Sequence, residues 1–283
     1  MPRRYQRSVI ETRVRIRQLT DPRRRLPDFV LIGAQRSGTS SMYKWLESHP
    51  WIAASLRKET EYLSYRHDRG EAWYRAHFPS RWQRAGFRLT GRRLLTFEAT
   101  AYYLFHPWAA ERAAALLPDA KLIVLLRNPV ERAWSHYHHM RRYDQEPLSF
   151  DAALDAEPER LAGEVERMRA DPTYVSLAHQ RWSYVTRGVY ADQLPAWIDR
   201  FGADHLLVLR SEDVYEKPDD NYQRVLGFLG LPEHRPAEFR NASTVRVERP
   251  PAMPDAVRGR LAEEFEPHNR RLEALLHRDF NWH

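Results

Sequence analysis

Cysteine is absent from this 283-residue chain, and its 38 acidic residues are outnumbered by 45 lysines and arginines. The lack of cysteine excludes disulfides, thiolate metal ligands and cysteine nucleophiles. No apolar run reaches membrane-spanning length, and no apolar segment follows the charged start. We therefore expect neither a membrane helix nor a secretory signal, and we predict a cytoplasmic location.

Positive charge is concentrated at the start of the chain. Nine arginines precede residue 26 and are accompanied there only by Glu11 and Asp21 among acidic residues. We interpret residues 1–26 as a basic arm. It is either a cationic helix that lies on a membrane surface or on an acidic acceptor, or a mobile, solvated segment. Residues 27–283 are long enough to form one domain with a sizeable core, and the sequence leaves the oligomeric state unknown.

Beyond the arm, apolar strands alternate with helical segments. Strands are predicted near residues 29–32, 51–55, 94–98, 121–126 and 205–209. Helices are predicted near residues 39–48, 107–117, 129–142, 189–200, 219–229 and 256–276. This alternation predicts an α/β fold with a central parallel sheet flanked by helices and a ligand at the carboxyl ends of the strands. Residues 144–186 lack a strong strand and are expected to form helices and loops over the cleft.

The most informative segment combines an apolar strand, a polar loop bracketed by glycines, and a helix. It reads Phe29-Val-Leu-Ile-Gly-Ala-Gln-Arg-Ser-Gly-Thr-Ser-Ser-Met-Tyr-Lys-Trp-Leu46. Backbone N–H groups at a helix N-terminus bind anions, and glycines let the backbone approach them. The candidate anion-binding positions are Gln35, Arg36, Ser37, Gly38, Thr39 and Ser40. Thr39 occupies the place of the lysine in the nucleotide-triphosphate loop G-x-x-x-x-G-K-[ST], so Arg36 supplies the positive charge here.

A second anion-binding pattern follows at residues 121–137, Lys121-Leu-Ile-Val-Leu-Leu-Arg-Asn-Pro-Val-Glu-Arg-Ala-Trp-Ser-His-Tyr137. The strand ends at Arg127, Pro129 begins a helix, and Ser135 lies two turns into that helix. An arginine and a serine so placed can bind a phosphate together. Two anion sites on two strand-to-helix turns are typical of a nucleotide phosphorylated at both ends.

These segments resemble the 5′-phosphosulfate loop and the 3′-phosphate motif of sulfotransferases that use 3′-phosphoadenosine 5′-phosphosulfate (PAPS). The resemblance is to bacterial sulfotransferases allied to the Golgi heparan-sulfate type, and it continues in order through much of the chain. Further matching segments are Lys58-Glu59-Thr60-Glu61, Arg187-Gly188-Val189-Tyr190, and residues 97–103, 206–212, 228–232 and 267–282.

The resemblance implies a P-loop sulfotransferase fold and transfer of a sulfuryl group from PAPS to a hydroxyl or amine, leaving 3′,5′-bisphosphoadenosine. The acceptor is expected to be a small molecule, a lipid or a carbohydrate. Glu59 is the implied general base, with Lys58 holding the sulfuryl oxygens and Arg36 stabilising the sulfuryl group and the leaving phosphate. Further nucleotide contacts are expected from Arg187, Tyr190 and Arg246.

On the acceptor side we expect Glu61, Tyr103 and His106. His106 is also the rival base, because cytosolic sulfotransferases of small phenols and alcohols use histidine. Glycan-modifying relatives carry histidine at the position of Glu61 and lysine at that of Ala99, so a glycan acceptor does not carry over. An aromatic-walled cleft is suggested by Tyr62, Tyr65, Trp73, Tyr74, Tyr102 and Tyr103.

Two other functions fit parts of the sequence. A P-loop kinase would explain the loop, although the loop lysine and an obvious acidic partner for magnesium are missing. A polyanion-binding module would explain the charge of +7 alone. No metal is expected, because the histidines at 136, 138 and 139 lack an acidic helper at H-E-x-x-H spacing, and no nucleic-acid partner is predicted.

Overall fold

A parallel sheet forms the centre of the fold in the computed structural model, which describes residues 3–241 and 251–282, with side chains from Ser8 onward. Over these residues the strands are β1 (Phe29–Gly33), β2 (Ile52–Ala54), β3 (Leu95–Ala99), β4 (Lys121–Leu126) and β5 (Leu206–Arg210). They lie in the order β2-β3-β1-β4-β5, and all neighbours pair in parallel. The predicted α/β fold class is confirmed.

The strands are apolar because both faces of the sheet are covered. Along β1, Val30 and Ile32 pack into one layer of the core, and Phe29 and Leu31 pack into the other. This alternation follows from the two-residue period of a strand. A strand buried on both faces is a continuous apolar run, which is why its position could be predicted closely.

Helices cover both faces. The described helices are α1 (Arg3–Thr20), α2 (Thr39–Glu47), α3 (Glu71–Arg75), α4 (Arg81–Leu89), α5 (Ala109–Leu116), α6 (Pro129–Arg142), α7 (Phe150–Leu161), α8 (Glu164–Ala170), α9 (Leu177–Arg181), α10 (Tyr190–Gln193), α11 (Pro195–Phe201), α12 (Ser211–Glu216), α13 (Pro218–Leu229) and α14 (Asp255–Leu276). The segment 144–186 contains α7, α8 and α9 with connecting loops, as predicted. The helix predicted at 189–200 is divided in two at Leu194, because Pro195 begins α11.

Part of the basic arm packs against the domain. Residues 3–20 form α1, whose Val14 is fully buried in the core, and the Arg17 guanidinium donates to the carbonyl of Ala76 across 3.4 Å. The expectation of a mobile, solvated arm is therefore wrong for the described part of α1. The division of the chain at residue 26 stays a prediction.

None of the helices within 3–241 and 251–282 has both the length and the apolarity needed to cross a membrane.

The order of the strands places the ligand-binding edge. After β1 the chain moves past β3 to form β2, whereas β4 lies on the other side of β1. In parallel sheets, ligands bind beyond the carboxyl ends of the strands, where the order reverses in this way. The loop after β1 and the loop after β4 both open at this edge.

Candidate functional site

The loop from β1 to α2 has a backbone that few residues adopt. Arg36 and Gly38 both have left-handed conformations, with φ of 72° and 94°. A Cβ atom at Gly38 would lie 2.8 Å from the Tyr215 hydroxyl, so a side chain there would displace Tyr215, and the left-handed conformation itself favours glycine. For Arg36 the left-handed conformation costs on the order of 1 kcal/mol, and such strain is concentrated at functional sites.

The loop after β4 is held from several sides. The Asn128 side chain caps α6, accepting from the N–H of Val130 across 2.9 Å, and the Asn128 N–H donates to Glu212 Oε1 across 2.9 Å. The Tyr190 hydroxyl donates to the carbonyl of Arg127 across 2.9 Å. Arg127 is thus fixed at the start of α6. Glu212 therefore braces the loop.

Arg36 connects the two loops. Its Nε donates to Ser135 Oγ across 3.0 Å, and Arg127 donates to the Arg36 carbonyl across 3.3 Å. Burial, with the charges of Arg127 and Arg142, lowers the pKa of Arg36 to about 10. Repulsion among guanidinium groups of this kind is relieved by an anion placed between them.

A cavity of about 450 Å³ opens between the two loops, and we call it the Arg127 cavity. It is lined by Arg36, Gly38, Thr39, Ser40, Arg127, Glu131, Ser135, Ser211, Glu212, Tyr215 and Asn241. Predicted anion-binding residues from both motifs therefore meet in one space: Arg36, Gly38, Thr39, Ser40, Arg127 and Ser135. The side chains of two arginines and three serines, together with the N-terminus of α2, supply hydrogen-bond donors for a phosphorylated ligand.

The predicted base lies in the loop after β2. The carboxylate of Glu59 accepts from Lys58 Nζ across 2.5 Å at one oxygen and from the N–H of Ala101 across 3.1 Å at the other. Glu59 has φ of 59°, and its N–H donates to the carbonyl of Ala99 across 2.8 Å. These contacts tie the loop to the carboxyl end of β3.

A buried carboxylate supports this loop from beneath. Glu98 is fully buried and accepts from the hydroxyls of Tyr74 across 2.7 Å, Tyr103 across 2.9 Å and Thr100 across 3.0 Å, and from that of Thr60. Burial raises the pKa of Glu98, while the four hydroxyl donors oppose that rise. Because Thr60 follows Glu59 directly, Glu98 positions the loop that carries the candidate base.

A second cavity of about 380 Å³ lies on this side, and we call it the Glu59 cavity. Its lining residues are Gln35, Arg36, Thr39, Ser40, Lys58, Glu59, Glu61, Tyr65, Ala101, Tyr102, His139, Met140, Gln145, Gln180 and Arg181. Arg36, Thr39 and Ser40 line both cavities. A group held at these three residues is therefore reachable from both sides.

Four predicted nucleotide contacts have different placements. Gln35 lines the Glu59 cavity and accepts from Arg187, which is 1% exposed and also donates to the carbonyl of His179 across 2.7 Å. Ser37 and Tyr190 are buried as well, and neither side chain lines a cavity described above. Arg187 and Tyr190 brace the loops from behind, and direct contact of Arg187, Ser37 and Tyr190 with the nucleotide stays a prediction.

Of the residues predicted on the acceptor side, one lines the Glu59 cavity and two are buried elsewhere. Glu61 lines the Glu59 cavity, where it accepts from Arg66 across 2.9 Å. Tyr103 is directed into the core toward Glu98, and the Nδ1 of buried His106 accepts from the N–H of Trp108 across 3.2 Å. Neither residue lines the Glu59 cavity, and contact of these two with the acceptor stays a prediction. Arg246 lies outside the described residues.

Sequence reasoning missed some lining residues. His139 lies 3.5 Å from Arg36 through Nδ1, and burial with the charge of Arg36 lowers the pKa of His139 to about 4. It follows Ser135 by one helical turn, which is the signal that could have identified it. No comparable sequence pattern identifies Tyr215 or Asn241 as residues that line the Arg127 cavity. Of the predicted aromatic wall, only Tyr65 and Tyr102 line the Glu59 cavity.

Comparisons with known proteins agree with this arrangement. Residues 26–256 match the family described as "Sulfotransferase domain". The membrane-associated sulfotransferase kil1 of Dictyostelium discoideum is 26% identical over 91% of this chain and 66% of its own length. Human heparan sulfate glucosamine 3-O-sulfotransferase 6 is 29% identical over 92% of this chain and 75% of its own. The crystal structure of a sulfotransferase from Alicyclobacillus acidocaldarius has 34% identity and a TM-score of 0.63, covering 91% of this chain and 99% of that one.

Proposed function

The chain belongs to the sulfotransferase family, whose members transfer a sulfuryl group from PAPS, and we propose that it sulfates a hydroxyl or amine with Glu59 as general base. The observation that carries the proposal is the junction of two cavities at Arg36, Thr39 and Ser40. One cavity is lined with groups that can donate hydrogen bonds to a phosphate, and the other contains the carboxylate of Glu59. A donor in the first and an acceptor in the second would meet at those three residues.

The Arg127 cavity fits a doubly phosphorylated nucleotide. Gly38, Thr39 and Ser40 at the start of α2 would hold the 5′-phosphosulfate, and Arg127 with Ser135 would hold the 3′-phosphate. Burial, together with the neighbouring charge of Arg127, lowers the pKa of Arg36, and the closeness of the two guanidinium groups supports an anionic occupant. PAPS supplies an activated sulfuryl group, whose bond to the phosphate oxygen breaks as the acceptor attacks sulfur.

The chain's own residues would do three things during transfer. Glu59, tied at both oxygens by Lys58 and the Ala101 N–H, would take the proton that the acceptor loses. Lys58 would pair with the sulfuryl oxygens. Arg36 would stabilise the charge that develops on the leaving phosphate by its charge and forked hydrogen bonds, because an arginine is not a proton donor at neutral pH.

The acceptor stays open among small molecules, lipids and carbohydrates. The human relative's name specifies a heparan sulfate glucosamine, which supports a carbohydrate. In this chain, however, Glu61 places a second carboxylate in the Glu59 cavity, held by Arg66. We infer an acceptor whose reactive hydroxyl or amine can lie beside the two carboxylates of Glu59 and Glu61. A metal-free reaction and a cytoplasmic location belong to the same proposal.

The experiment that tests the donor is a comparison of ligands by thermal unfolding of the full chain. A ligand that binds only the folded state raises the melting temperature. We expect 3′,5′-bisphosphoadenosine to stabilise the protein more than adenosine 5′-monophosphate, which lacks the 3′-phosphate. Stabilisation by magnesium-ATP alone would instead favour a kinase, and stabilisation by an oligonucleotide alone would favour a polyanion-binding module.

A further inference from the structure

We propose that the surface around α4 docks onto a bilayer that contains acidic phospholipids, a function separate from sulfuryl transfer. The surface consists of a basic cavity and an adjacent apolar ridge. The cavity, which we call the α4 cavity, measures about 190 Å³ and is lined by Arg25, Arg81, Arg84, Arg88 and Arg93 with Ala85 and Leu94.

The α4 cavity carries a large excess of positive charge. Asp28 pairs with Arg84 across 2.8 Å and with Arg93 across 3.4 Å. Arg25, Arg81 and Arg88 form no ion pair with a carboxylate in the described part of the chain. One acidic group therefore faces five guanidinium groups. Such an excess attracts phosphate-bearing surfaces, and each arginine near an anionic leaflet adds to the binding.

The apolar ridge faces away from the domain. Within α4 only Arg84 is buried and Phe87 half-buried, so one narrow side of the helix packs inward. Trp82 and Leu89 lie seven residues apart on the same side of the helix, and they are 72% and 91% exposed. Within the described part of the chain neither side chain belongs to the hydrophobic core, so core packing does not account for a tryptophan and a leucine together on an outward ridge.

The ridge and the cavity form one surface. The Arg81 guanidinium lies 5.3 Å from the centre of the Trp82 ring, so the charged and apolar groups are neighbours. Tryptophan prefers the membrane interface, and a helix with apolar groups beside arginines binds bilayers that carry negative charge. A sulfated polysaccharide or an acidic protein would match the arginines, but a bilayer also buries Trp82 and Leu89.

The surface is also compatible with catalysis. β3 runs from Leu95, next to the α4 cavity at Leu94, to Ala99, whose carbonyl accepts from Glu59 N–H. The basic surface therefore lies at the amino end of the sheet, and the Glu59 cavity lies at the carboxyl end. Docking through α4 would leave the candidate active site open to solution.

The test uses the full chain and vesicles of phosphatidylcholine, with or without phosphatidylglycerol. We expect flotation with the anionic vesicles only. Binding should weaken about tenfold or more in Arg81→Glu/Arg88→Glu and also in Trp82→Ala/Leu89→Ala. Two matched controls should bind like the wild type: Arg270→Glu on α14, and Leu177→Ala, whose leucine is 47% exposed.

The absence of cysteine allows a second readout that does not depend on removing side chains. Ala85→Cys, labelled with an environment-sensitive fluorophore, should show a blue shift with anionic vesicles, and Leu177→Cys should not. No flotation and no blue shift would overturn the proposal. So would loss of binding in the charge variant with full binding in Trp82→Ala/Leu89→Ala, since that result describes a polyanion site without a bilayer.

Discussion

Arg36 Nε donates to Ser135 Oγ across 3.0 Å, joining the loop after β1 to helix α6 through two residues that lie 99 positions apart in the chain. Through this bond, the two anion-binding motifs that the sequence predicts become walls of one cavity. The bond also brings Arg36 to the border with the Glu59 cavity.

The donor site is tested by removing its guanidinium groups. Arg36→Ala and Arg127→Ala should each weaken binding of 3′,5′-bisphosphoadenosine about tenfold to hundredfold, because charge-assisted bonds contribute about 1.5–3 kcal/mol. Isothermal titration calorimetry measures the affinity, and Arg200→Ala, on the exposed side of α11, is the control. Wild-type affinity in both site variants would contradict the two-phosphate site.

Tyr190 should act through Arg127 rather than on the nucleotide. Tyr190→Phe removes the hydroxyl that donates to the Arg127 carbonyl, so bisphosphoadenosine affinity should fall about twofold to tenfold, the equivalent of 0.5–1.5 kcal/mol. Tyr174→Phe removes a comparable hydroxyl, bonded to Glu164 across 2.9 Å, and should leave the affinity unchanged. Equal affinities for Tyr190→Phe and wild type would show that this hydrogen bond does not position Arg127.

Acid should destabilise the fold through its buried histidines. Burial lowers the pKa of His106 from 6.5 to about 3, with a smaller contribution from Arg112. Between these pH values the unfolded chain binds a proton that the folded chain does not, so the free energy of unfolding falls as the pH falls. The stabilising contribution is complete above about pH 6.5 and is lost progressively toward pH 3, by about 1.4 kcal/mol per pH unit.

Denaturant unfolding at two pH values tests this directly. Between about pH 7 and pH 5, His106→Gln should lose about 1–2 kcal/mol less stability than the wild type. His268→Gln, at a partly exposed position on α14, should show the wild-type loss. Identical losses in His106→Gln and wild type would mean that His106 is not held neutral by burial.

Metal removal distinguishes sulfuryl transfer from phosphoryl transfer. We expect a chelator to leave turnover nearly unchanged, because the moving sulfuryl group carries less charge than a phosphoryl group and needs less neutralisation. The described residues contain no group of three or more histidine, aspartate or glutamate side chains arranged to hold a metal. Activity that chelation abolishes and magnesium restores would favour a kinase.

The sequence allowed close prediction of the parts that depend on local patterns. β1 and β4 are continuous apolar runs, and the turns after them contain Gly38, Pro129 and the arginines that mark an anion site. The bounds of α6, residues 129–142, were predicted correctly because Pro129 favours the first helical position and an asparagine caps it. The sulfotransferase family could be inferred because these patterns occur in a fixed order.

The remaining features depend on tertiary contacts. Tyr102 and Tyr103 are adjacent in sequence, yet Tyr102 lines the Glu59 cavity while Tyr103 points to Glu98, and no local pattern distinguishes them. His106 follows an aromatic run near the correct edge of the sheet but is buried. α4 was missed because only one narrow side of it packs inward and its Trp82 and Leu89 face outward, so its apolar residues form no stripe toward the core.

The most direct test of the central claim is the single-turnover rate of sulfuryl transfer by Glu59→Gln. Radiolabelled PAPS would be saturating, and the acceptor would be one recovered by screening a cell extract. We predict a rate about 10²–10⁴-fold below wild type with nearly unchanged bisphosphoadenosine affinity, because the amide keeps the shape of the side chain but cannot take a proton. His106→Ala should be far milder. A fast Glu59→Gln beside an inactive but folded His106→Ala would contradict the assignment of Glu59 as the base.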